Sequence, residues 1–200
     1  MTRFLASIVA AALTAGVSAA ERDFDPQKLK SARELLSATA VPHHELLDPS
    51  NQGMKWSLRN VADLGPILLA ARGAVADLHV RNPSAVADAY GNGVMTNIED
   101  TLKLFGEGAL ERGCVSHQSV TFDAVKPAAK DSSLQVKKIR IRTVFQHNAV
   151  IVFPKGSDWK QSGVVLDGWI RQKSDLDKMV YAFRKWVGFG DRPRLIDDDE

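Results

Sequence analysis

The hydrophobic pattern of this chain changes period near Lys130, and that change limits the class of fold it can reach. Beyond it, Leu134, Val136, Ile139, Ile141 and Val144 partly alternate with Lys137, Lys138, Arg140 and Arg142. A period of two marks a strand with one buried and one wetter face. The apolar run Ala149, Val150, Ile151, Val152 and Phe153 predicts a second strand, and residues 154–158 supply Pro, Gly, Ser and Asp for a turn. Residues 163–167 predict a third, short and buried strand, so the three form an antiparallel meander. Residues 175–187 return to a helical period, with Leu176, Met179, Val180, Phe183 and Trp186 on one face, and predict a closing amphipathic helix.

Ahead of Lys130 the period is helical. Asp25 before Pro26 sets a capping carboxylate ahead of a residue whose ring already holds helical φ, and Leu29, Ala32, Leu35 and Leu36 form a stripe, predicting a helix over 26–38. Residues 40–55 read as irregular, with Pro42, Pro49 and Gly53 as turn formers and His43 and His44 in a loop. Ser57 then caps a long helix with Leu58, Val61, Leu68, Leu69, Ala71, Val75 and Leu78 on its apolar side and a kink at Pro66. A short helix is expected after Pro83 and another over 97–111, stopped by Gly113. Helices first and an antiparallel sheet second is α+β organisation.

The amino end has its own logic. Arg3 supplies a positive charge, residues 4–17 are an apolar run, and Val17, Ser18, Ala19 and Ala20 are the small residues of a cleavage site before Glu21, Arg22 and Asp23. This is the layout of a secretory signal peptide, and a run of about 14 apolar residues falls short of the ~20 needed to span a bilayer. Residues 1–20 are therefore expected to be removed after Ala19 or Ala20, leaving one domain over 21–200 in the periplasm or outside the cell. That remainder, about 180 residues, is long enough to bury a core without metals or disulfides. The formal charge of +2 comes from 26 basic and 24 acidic residues scattered along the chain. No basic patch points to nucleic acid, and no second apolar run points to a membrane.

An exported chain with Cys114 as its single cysteine cannot form an internal disulfide and carries an unoxidised thiol into an oxidising compartment. Gly113 closes one helical pattern and residues 115–125 can begin another, which sets Cys114 near a helix N-terminus. There, backbone N–H groups and the helix dipole favour the thiolate, lowering the pKa from about 8.5. His147 stands at the start of the second strand and Asp167 at the end of the third. Antiparallel pairing brings those two ends side by side, so Asp167 can orient the imidazole while His147 accepts the thiol proton. Cys114 and His117 also have a C-x-x-H spacing, but a zinc site needs further ligands and no second cysteine exists. No Gly-rich phosphate loop occurs, and no cofactor is expected.

Three stretches together resemble a family pattern: Gly113-Cys114 before a helix, Gln146-His147-Asn148-Ala149-Val150 on a strand, and Val165-Leu166-Asp167-Gly168-Trp169. In the order Cys, His, Asp the chain is similar to transglutaminase-like and papain-like cysteine enzymes over roughly residues 96–170. The resemblance implies a papain-like or transglutaminase-like core, with Cys114 as nucleophile for acyl transfer at an amide, His147 as base then acid, and Asp167 as orienting group. Gly168 stands where the family often has proline. No glutamine stands a few residues before Cys114 to serve as a papain-type oxyanion donor, which leaves the backbone N–H of Cys114 as the one contributor named. The expected substrate is a peptide or protein amide, and a toxin of this kind would have a cognate inhibitor protein. The competing expectation is a catalytically silent binding module in which Cys114 is merely a buried small hydrophobe.

Overall fold

The computed structural model describes residues 24–48, 55–81, 114–142, 146–169, 176–188 and 190–196. The expected signal segment over 1–20 and the helices expected after Pro83 and over 97–111 lie outside the described residues. Asp25 caps α1 (Pro26–Ser37) by accepting the Gln27 N–H at 2.9 Å, and the helix buries Leu29, Ala32 and Leu36. His43 and His44 do not sit in a loop: they open a one-turn helix, α2 (His43–Leu47). Pro42 precedes it in extended conformation, and burial of Leu46 fixes the turn against the core. In α3 (Leu58–Arg81) the capping is reciprocal, the Asn60 N–H donating to Ser57 Oγ at 3.2 Å and the Ser57 N–H to Asn60 Oδ1 at 2.8 Å. Pro66 lies inside this helix without ending it.

After α4 (Cys114–Ala129) come β1 (Leu134–Arg142), β2 (Gln146–Pro154), α5 (Trp159–Ser162), β3 (Val164–Leu166), α6 (Leu176–Met179), β4 (Val180–Ala182), α7 (Phe183–Trp186) and β5 (Arg194–Ile196). The expected closing helix over 175–187 is thus interrupted by a strand. Val180, Tyr181 and Ala182 pair antiparallel with Leu166, Val165 and Val164. The outer edge of β3 offers a row of backbone partners to β-favouring residues, and that pairing outweighs the helical period of the sequence. The described strands form an antiparallel sheet in the order β4-β3-β2-β1-β5, a meander extended by β5 on the far side of β1. Mixed helices with an antiparallel sheet make the chain α+β.

Both faces of the sheet are covered, and strand alternation sorts the side chains between them. Val150, Val152, Val164 and Leu166 join α1, α3 and α4 in the larger core. Ile139, Ala149, Ile151, Phe153 and Val165 face the other way, onto Phe183 with Trp159 and Trp186 beside it. Polar ties fix the layers: Asp63 Oδ2 accepts the Ser133 N–H and hydroxyl at 2.7 Å each, binding α3 to the start of β1. Trp56 Nε1 donates to the Ser162 carbonyl at 2.8 Å.

Gly168, just past β3, marks a close approach of the sheet to α3. A Cβ there would stand 2.6 Å from Val75 Cγ2, so only glycine lets the chain leave β3 along this path. Gly168→Ala is expected to destabilise the fold by about 1–3 kcal/mol through overpacking. Urea unfolding should show a smaller cost in a Val75→Ala background; equal costs in both backgrounds would place the strain elsewhere.

Candidate active site

α4 begins at Cys114, so the thiol belongs to the first turn, where backbone N–H groups have no partner within the helix. Its inward face buries Cys114, His117, Gln118, Thr121, Phe122 and Val125. Gln118, one turn beyond the cysteine, donates from Nε2 to the carbonyls of Ile139 at 2.9 Å and Ala149 at 2.6 Å. These carbonyls belong to residues directly opposite each other in β1 and β2. A buried amide donating to both strands holds the start of α4 over the amino end of β2, and Cys114 is only 3% exposed.

His147 is the second residue of β2, and Asp167 follows the last residue of β3. Because Val150 pairs with Leu166, the next step along β3 brings Asp167 level with Ala149, on the face that also carries His147. His147 Nε2 and Asp167 Oδ2 are 2.7 Å apart, with side-chain exposures of 11% and 0%. The same Oδ2 accepts a 2.7 Å hydrogen bond from Trp186 Nε1. The imidazole packs against the indoles of Trp169 and Trp186, with ring centroids 5.2 and 5.7 Å away. Burial alone would lower the pKa of His147, but the charge and hydrogen bond of Asp167, helped by Cys114, raise it from 6.5 to about 10.

The three residues singled out in the sequence therefore come to one end of the sheet. His147 and Asp167 bond directly, and the side chain of Cys114 is near enough to help raise the pKa of the imidazole. The remaining ring nitrogen, Nδ1, is buried and makes no aligned hydrogen bond among the described residues. Instead, Cys114 Sγ accepts from the Nδ2 of Asn148 at 3.2 Å. Asn148 is absent from the sequence-based candidates, although the signal is there: alternation turns the residue after His147 to the opposite face, toward α4. Asn148 Oδ1 in turn accepts from Arg140 Nε at 3.0 Å, and Arg140 is its direct partner across the β1–β2 ladder.

His117 and Trp159 have other partners. His117 meets His79 of α3, Nε2 to Nε2, at 3.2 Å, so the C-x-x-H spacing bridges helices. No group of three or more His, Cys, Asp or Glu among the described residues is placed to hold a metal. Trp159 packs edge-on against Phe183, as a residue of the second core.

The His147 shift gives stability a definite pH dependence. Folded protein keeps a proton that the unfolded chain gives up above its ordinary pKa of 6.5. The stabilisation is thus complete below about 6.5, erodes as pH rises, and is gone above about 10. Thermal melts across this range should show that decline, and Asp167→Asn should flatten it; a decline unchanged in the variant would assign it to other groups.

Compared with protein-family models, curated proteins and solved structures, the chain matches none, and the reading of the site rests on its own residues.

Proposed function

We propose that this chain is an exported cysteine hydrolase or acyltransferase with a papain-like or transglutaminase-like core, acting on peptide or protein amides. The observation that carries this reading is a buried imidazole held at 2.7 Å by a fully buried carboxylate, beside the one thiol of the chain at the start of a helix. Asp167 holds His147 through Nε2 as the imidazolium, whose proton on Nδ1 stabilises the thiolate of Cys114. The sulfur attacks the amide carbonyl, and the imidazolium then gives its proton to the departing amine. Water, or an acceptor amine, next attacks the thioester with His147 as base, and the thiolate leaves. Trp186 keeps Asp167 in place, and the indoles around His147 exclude water from the ion pair.

The signal layout of residues 1–20 supports export, and a peptide or protein substrate would be met in the periplasm or outside the cell, with a cognate inhibitor protein protecting the producer. No helix among the described residues is long and apolar enough to cross a membrane. Intact-mass analysis of exported protein should find the chain beginning at Ala20 or Glu21. Material that retains Met1 would end the export assignment.

Thiol chemistry tests the enzyme reading. Iodoacetamide should modify Cys114 in the folded protein at pH 7, and His147→Gln, which leaves Asp167 a polar partner, should slow the reaction by at least about tenfold. Labelling that occurs only on unfolding is the behaviour of a silent module and would overturn the proposal.

A further inference from the structure

We infer that Asn148, aimed by Arg140, is a fourth catalytic residue: its side-chain amide supplies the oxyanion donor that the sequence around Cys114 lacks. This rests on the cysteine-enzyme reading above and adds to it the group that stabilises charge. A carboxamide can present either end to a neighbour, and Arg140 removes the choice here. Its Nε–H donates to Oδ1 at 3.0 Å, so the end facing Sγ at 3.2 Å is the donor Nδ2. Asn148 is 2% exposed, so the amide works where water does not compete for it.

The location suits the chemistry. When sulfur adds to the carbonyl carbon, the S–C bond forms and the carbonyl π pair moves onto oxygen, which ends two bonds from Sγ. A donor already in contact with the sulfur needs only a small shift to reach it. The backbone N–H of Cys114, in the first turn of α4, gives the second donor. As the intermediate collapses, the C=O bond re-forms, the C–N bond breaks, and the amine takes its proton from His147; Asn148 donates hydrogen bonds and transfers no proton. Alternation in β2 also separates the two roles. His147 approaches from the face with Trp169 and Trp186, Asn148 from the face of α4, so the carbonyl oxygen points to the helix and the leaving group to the indoles.

Two reagents divide the roles, because alkylation by iodoacetamide forms no oxyanion and acylation by p-nitrophenyl acetate does. In the full mature chain, Asn148→Ala should slow acylation by about 100-fold while slowing alkylation by less than about tenfold. Arg140→Ala, at a half-buried site, should release the amide and slow acylation by about tenfold with alkylation nearly unchanged. If Asn148→Ala does not fold, as judged by a thermal melt, the Arg140 variant decides alone. Equal effects of these variants on both reactions, or none on either, would overturn the inference. A larger, acylation-selective loss in Trp169→Phe would overturn it too, by giving the role to the indole N–H, which is buried and makes no hydrogen bond among the described residues. If wild-type Cys114 reacts with neither reagent while folded, it is the enzyme reading that fails.

Discussion

A carboxylate with no solvent exposure is tolerable only where something repays its lost hydration, and at Asp167 that is His147 Nε2 and Trp186 Nε1, both 2.7 Å from one oxygen. Much of the carboxyl-terminal half of the fold can be read as a means of making that possible. The pairing of β2 with β3 brings imidazole and carboxylate together, and the pairing of β3 with β4 leads the chain directly into α7, which carries Trp186. Interruption of the expected helix over 175–187 is therefore no incidental detail. A continuous helix would have left β3 with an open edge and delivered the indole by another route. The strand gives both the edge pairing and the hydrogen bond.

The thiol reaches this pair from the other side of the molecule. α4 belongs to the larger core with α1 and α3, whereas His147 and Asp167 follow the alternation of residues that face the smaller one. They meet because Cys114 is the first residue of its helix and His147 lies near the start of its strand, so both stand at the rim of the sheet. Gln118 sets the distance between the layers by bonding to carbonyls of both central strands. Gly168 sets the other side of the same junction, since its missing side chain lets the chain pass Val75 immediately after Asp167.

How much of this is legible in the sequence depends on the range of the information. Local signals serve well: the Asp25 cap, the Pro26 start, the Ser57 cap and the alternation after Lys130 each correspond to an element of the fold. A strand opening at His147 and the next strand closing at Asp167 are enough to bring the two to one place once they pair antiparallel, because only a register that buries the apolar face of both strands is stable. Long-range signals are not legible. Nothing local says that Val180 pairs with Leu166, or that Arg194, Leu195 and Ile196 join β1; each depends on which edge is open after the rest has folded. The helix at His43 and His44 escapes a local reading for the same reason, since five residues make a helix only when Leu46 has a core to enter.

Asn148 is the instructive omission. Residue types with familiar roles in catalysis draw attention first, and an asparagine beside the histidine reads as filler. Yet the alternation that sets His147 facing Asp167 also requires its neighbour to face the helix that bears the thiol. The strand thus carries an imidazole on one face and a neutral amide on the other, and its partner strand supplies Arg140 directly across the ladder to hold that amide in one orientation. In the proposed reaction the two tasks, moving a proton and stabilising a developing negative charge, need opposite chemistry at nearly the same point. Consecutive residues of one strand, projecting to opposite faces at a rim where a helix begins, provide that separation without any loop having to supply it.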